Sequence, residues 1–163
     1  MSRHRRPFSL LAALTALAVP AAAGCSPGGS GARVDPPSAP PAAVAGLCAA
    51  LHKELPGTVA SLDRTPALPE SDLTAAWGGS AIVLRCGIPR PAKMLDEKQD
   101  GVEVNGVGWL LEKLDDGGFR FTTGMRLAYT EVRVDKEHAT DAGMLVGLSA
   151  AIAKTVPEGI SSY

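Results

Sequence analysis

The sequence predicts an α+β fold: a single small domain in which an antiparallel meander carries an N-terminal and a C-terminal helix on one face, preceded by a disordered tether. Three observations point there. Apolar residues recur at helical spacing near both ends of the folded region. Between them lie short apolar or alternating runs separated by glycine-containing turns. Helices grouped outside a run of strands, rather than alternating with them, belong to a two-layer α+β arrangement.

The chain opens on Arg3, His4, Arg5 and Arg6, followed by an apolar run from Leu10 to Val19 and the small residues Ala21 to Gly24 before Cys25. A run that short cannot cross a hydrocarbon core of roughly 30 Å as a helix. A basic start, a short apolar run and small residues make an export signal. Small residues directly before a cysteine make that signal one of lipoprotein type, so residues 1–24 are removed and Cys25 is lipidated. Ala22 stands where such a site most often has Leu, and Ala21-Ala22-Ala23 also satisfies an ordinary signal peptidase. Arg5-Arg6-Pro7-Phe8 resembles the core of a twin-arginine signal, so the export route stays open. Lipidation of this kind supplies two acyl chains, which meets the condition for stable anchoring.

Residues 25–43 hold the lipidated cysteine and a Pro/Gly/Ser-rich stretch with almost nothing to bury, expected to be a disordered spacer. The domain is then 44–163, on the order of 120 residues, enough for one core and not two. Aromatic residues make up only 4% of the chain, so that core relies on Leu, Val, Ile and Ala. Abundant Ala, Gly, Pro and Arg suits a high-G+C genome.

Val44, Leu47, Cys48 and Leu51 form one stripe of a first helix, which Pro56-Gly57 ends. Residues 57–79, punctuated by Pro66, Pro69 and Gly78-Gly79, read as loop. Ala81 to Cys86 reads as a buried strand stopped by Gly87 and Pro89, and 91–100 as an exposed polar segment. Asn105-Gly106 between Val102–Val104 and Val107–Leu111 is a hairpin signal, because a type I′ turn needs positive φ at both central residues. Asp115 to Gly118 makes a second turn into Phe119–Thr122, and Leu127–Val134 alternates as a strand. A last helix, with Leu145, Leu148 and Ile152 on its apolar face, is expected to start near Thr140 or Asp141, either of which could cap it.

Loss of Arg3, Arg5 and Arg6 leaves 13 Lys and Arg against 17 Asp and Glu, about −4 for the mature chain. No basic patch remains to track a phosphate backbone, which excludes nucleic acid as a partner. Membrane contact is then through lipid rather than charge. With Cys25 assigned to lipid, Cys48 and Cys86 are left in an oxidising compartment, where two cysteines most simply pair. The bond would close a 38-residue separation. Two isolated cysteines make a poor zinc site.

Catalytic and metal-binding patterns are thin. His52 and His138 read as surface histidines. Ser71, Ser80 and Ser149 have no nucleophile-elbow motif around them. Asp96 to Gly101 fails the calcium-loop pattern, with Lys98 at the third position and Val107 at the twelfth. Neither a metal nor another cofactor is expected. Trp77, before Gly78-Gly79, is the candidate for stacking on a ligand, weighed against packing in the core; Trp109 reads as core.

Leu47-Cys48-x-x-Leu51, Leu55-Pro56, Ala76-Trp77-Gly78 and Val83-Leu84-Arg85-Cys86-Gly87 resemble a family of actinobacterial secreted lipoproteins of unknown function. Val104 to Leu110, Phe121-Thr122-Thr123 and Val132-Arg133-Val134 are similar to the same family. The resemblance covers Leu47 to Pro157. It implies an exported, membrane-tethered single domain with the cysteine pair, and brings no catalytic residues.

The expected function is therefore that of a non-catalytic binding or accessory module at the outer face of the cytoplasmic membrane. Its anchor is Cys25, and its partner an envelope protein or a small ligand. The alternatives are a hydrolase-like envelope enzyme whose site assembles only in the fold, and a structural envelope protein.

Overall fold

The structure, a computed structural model, describes residues 31–96, 98–140, 142–161 and 163. Cys25 and the export signal lie outside them. In chain order the elements are β1 Ala32–Arg33, α1 Ala42–Glu54, β2 Thr58–Val59, β3 Leu62–Thr65, β4 Ala67–Leu68, β5 Thr74–Trp77, β6 Ile82–Ile88, β7 Gly101–Val104, β8 Val107–Lys113, β9 Phe119–Thr123, β10 Tyr129–Val134 and α2 Leu145–Thr155. Eight strands form one sheet in the order β2-β3-β5-β6-β10-β9-β8-β7, and every pairing within it is antiparallel. The fold is α+β, with α1 and α2 side by side on one sheet face.

Strand alternation decides what each face carries. Ala75, Trp77, Ile82, Leu84, Cys86, Val132 and Val134 point to the helices and form the core with Val44, Cys48 and Leu51 of α1 and Leu145, Leu148 and Ile152 of α2. Trp109 enters the same core, and its indole N–H donates to Ser149 Oγ at 3.0 Å, fixing α2 to the sheet through a buried polar pair. α2 is preceded by a 3₁₀ turn at Ala142–Met144, so the α-helix begins later than the sequence pattern predicts, and its N-cap residue Met144 supplies no side-chain cap. Asp141, one of the two expected caps, lies outside the described residues.

Cys48 and Cys86 are bonded, with their Cα atoms 5.6 Å apart. The bond joins the middle of α1 to the central strand β6. Next to it the chain does something the sequence does not announce. β6 continues through Gly87 to Ile88, because Gly87 is the extra residue of a bulge: Thr130 pairs with Cys86 and Tyr129 with Ile88. Gly87 takes φ +85°, and a Cβ there would stand 3.2 Å from Pro40 and 3.4 Å from Cys48 Sγ. Conformation and space both call for glycine. At the hairpin, Asn105 (φ +49°) and Gly106 (φ +71°) make the expected two-residue turn between β7 and β8.

Two stretches differ from expectation. Residues 57–79 hold four short strands rather than loop. The last of these, β5, is buried at all four positions because β3, β6 and both faces enclose it. Ala and Thr give such a strand no polar/apolar alternation to read. The second is the presumed spacer. From Gly31 the chain lies on the helix-free face, where β1 pairs in parallel with β4. Ala32 and Val34 are 5% and 4% exposed and pack on Ala76 and Val83. Val34 N–H donates to Leu68 O at 2.9 Å, and Arg85 Nε to Asp35 O at 3.0 Å. The segment Ala32-Arg33-Val34-Asp35 alternates apolar and charged, the signature of a half-buried strand, and that local pattern prevails over the proline-rich composition around it.

Docking of this segment is open to a direct check. Val34→Ala should lower stability by about 2 kcal/mol in urea denaturation, through lost methyl burial and the void it leaves. A free spacer would show no change at this position.

Candidate functional site

A cleft of about 920 Å³, open to solvent, lies beside the end of α1. The last turn of α1 supplies His52 and Lys53, β3 supplies Arg64 and Thr65, β4 supplies Ala67, and the connection into β5 supplies Glu70, Ser71 and Asp72. The floor is the start of β5 at Thr74 and Ala75. Both charge signs therefore line one concavity.

Arg64 and His52 set its chemistry. The guanidinium Nη2 lies 2.8 Å from His52 Nε2, and Nη1 donates to the His52 backbone carbonyl at 3.3 Å. Arginine carries only donors, so Nε2 must accept and the ring is neutral with its proton on Nδ1. Nδ1 is buried with no well-formed hydrogen bond. Loss of hydration is the main reason that the imidazole pKa falls below its ordinary value, and the Arg64 charge adds to it; Asp72 and the Thr74 backbone oppose both. The guanidinium meanwhile caps carbonyl oxygen at the negative end of α1, where a cation is favoured. Ser71 Oγ accepts the Leu73 N–H at 3.1 Å, a local turn contact.

The other residues singled out in the sequence fall elsewhere. Trp77 does not stack on a ligand: it is 0% exposed, in β5, with its indole N–H donated to Pro56 O at 3.0 Å. Its place before Gly78-Gly79 suggested a loop, but pairing with β6 carries it into the core. Cys48 and Cys86 are spent on their mutual bond. Ser149 is buried under Trp109. His138 closes a turn on Asp135, 2.7 Å from Nδ1 to Oδ1. Asp96 caps its own turn through the Lys98 N–H at 3.0 Å. Among the described residues no group of three His, Cys, Asp or Glu side chains could hold a metal ion.

A second charged group lies on the helix-free face. Glu112 is bridged by Lys93 at 2.9 Å and Arg120 at 3.7 Å, and Glu131 by Arg85 at 3.4 Å and Arg120 at 3.3 Å. These five residues line a shallower cleft of about 390 Å³. Each carboxylate has two cations, with Arg120 shared between them, so both acids are neutralised and the ladder ties neighbouring strands together.

The family model described as "Protein of unknown function (DUF3515)" matches residues 9–160, and the chain belongs to that family. Comparison with curated proteins and with solved structures returns no match.

The lowered pKa of His52 has a definite consequence for stability. Above pH 6.5, the ordinary value, the ring is neutral in folded and unfolded chain alike and contributes nothing. As pH falls below 6.5 the unfolded chain takes up a proton that the folded ring resists, so stability declines. His52→Gln, which keeps an acceptor for Arg64, should flatten this part of a pH–stability curve. It should spare the separate loss below about pH 4, where carboxylates titrate. Chemical denaturation of both proteins across that range checks it.

Proposed function

We propose that this DUF3515 protein is an exported lipoprotein of an actinobacterial envelope, cleaved before Cys25, acylated on it, and held at the outer face of the cytoplasmic membrane. Its folded part is a non-catalytic binding or accessory module. The arrangement of the three cysteines carries this reading. Cys48 and Cys86 pair with each other, a bond that belongs to an oxidising compartment. Cys25 is the odd one, directly behind Ala21 to Gly24 at the end of an export signal.

The 920 Å³ cleft is the place where such a module takes its ligand. Its lining suits a small molecule or peptide end that carries both charges, with an anionic group toward Arg64 and Lys53 and a cationic group toward Glu70 and Asp72. Binding is favoured over catalysis because Arg64 occupies the imidazole nitrogen that a general base would use. A hydrolase-like alternative draws on one observation, that His52, Ser71 and Asp72 share the cleft.

Fractionation with intact-mass measurement tests the anchor. The wild-type chain is expected in the membrane pellet with the mass of a diacylglyceryl-modified product. Cys25→Ala is expected as uncleaved precursor or in the medium. A wild-type chain without the acyl mass, or a Cys25→Ala chain of processed mass that still stays in the membrane pellet, would overturn the assignment.

A further inference from the structure

Resting on acylation of Cys25, we propose that the helix-free face of the sheet is turned toward the bilayer, and that an apolar patch on it, formed by Leu95, Met125, Leu127 and Ile160, seats in the phospholipid interface.

The first support is reach. Cys25 lies seven positions before Ala32, and a fully extended chain gains at most about 3.6 Å per residue, so the lipid attachment stays within about 25 Å of β1. β1 packs on Ala76 and Val83, on the face opposite the helices. Bringing the helix layer down to the same membrane would require the chain to pass round the sheet edge. That path is on the order of 40 Å, two or three strand spacings plus the thickness of a sheet and a helix layer. The tether is too short for it.

The second support is the patch. Five large apolar side chains are exposed among the described residues: Met125 at 64% and Ile160 at 59% line one groove, Leu127 at 39% lies against Gly159 beside Ile160, and Leu95 at 71% follows Met94 of the same groove. The fifth, Val146, sits on α2. Strand parity places Leu110, which shares the groove with Met125 and Ile160, on the β1 side, since it aligns through Thr122 and Glu131 with Arg85, two residues from Val83. The groove, of about 280 Å³, is also lined by Met94, Met125, Tyr129 and Ile160, with Arg90, Asp96 and Asp100 as its charged members. Methionine side chains adapt to irregular apolar partners.

The patch is also held in shape. Met125 has φ +50°, a conformation that residues with a Cβ seldom adopt. Its carbonyl accepts the Gly159 N–H at 3.0 Å, and the Leu127 N–H donates to Pro157 O at 3.1 Å. Between them the buried Arg126 donates to Val156 O at 3.0 Å and to Gly106 O at 2.8 Å. The β9–β10 connection and the segment after α2 are thus clipped together with Met125 and Ile160 outward. An acidic mature chain gains nothing from charge at an anionic surface, whereas apolar side chains at the acyl boundary add to the pull of the anchor.

The full lipidated chain is reconstituted into phosphatidylethanolamine–phosphatidylglycerol vesicles containing brominated acyl chains, with Ile160→Trp, Leu95→Trp or Val146→Trp as reporter. Native Trp77 and Trp109 are 0% and 2% exposed and give a shielded background. The expected result is at least about a twofold loss of reporter emission at 160 and 95, the depth expected of an interfacial patch, and none at 146. Acylated chain that sediments with vesicles but shows no quenching at 160 and 95, or equal quenching at 146, overturns this inference and leaves the anchor intact. Chain that carries no acyl mass and does not sediment overturns the anchor and the inference with it.

Discussion

The bond between Cys48 and Cys86 is the constraint on which the remaining architecture depends. It ties the buried face of α1 to the central strand, and three features are arranged around its sulfur atoms. Gly87 bulges β6 in a left-handed conformation, and a side chain there would crowd Pro40 and Cys48 Sγ. Pro40 stands against that bulge, one residue before the N-cap of α1. The end of α1, carried down by the same helix, puts His52 against Arg64 of β3. A closed loop of this length is worth about 4 kcal/mol by chain entropy, comparable with the net stability of a small domain.

The cleft and the patch are two outcomes of one topology. Residues 64–75 meet the end of α1 to form the cleft, while the segment after α2 bonds to the β9–β10 connection and brings Ile160 into one groove with Met125. β1 lies beside β4, one of whose residues, Ala67, lines the cleft. The cleft therefore stands close to the N-terminal end of the described chain.

What the sequence made legible was local. Asn105-Gly106 specifies its own turn, and Leu145, Leu148 and Ile152 mark one helix face whatever they pack against. The two cysteines left after Cys25 had one simple use. What was hidden depended on partners far along the chain. β5 reads as loop because Thr74, Ala75, Ala76 and Trp77 are enclosed on both faces and show no alternation; the same enclosure takes Trp77 out of reach of any ligand. Arg64 lies 12 residues from His52, and neither residue type signals the pairing until the turn after α1 brings β3 back beside it. The ladder of Arg85, Glu112, Arg120 and Glu131 exists only once four strands are in register. At Ala32–Asp35 a short alternating signal was present, but the prolines on its C-terminal side and the glycines before it outweighed it in a reading by composition.

The most direct measurement is the redox state of the two cysteines in the purified protein together with the energetic weight of their bond. Intact mass should show Cys48 and Cys86 joined, and the Cys48→Ser/Cys86→Ser double variant should lose about 4 kcal/mol in urea denaturation. Two free thiols at Cys48 and Cys86, or a double variant as stable as the wild type, would contradict the account at its centre.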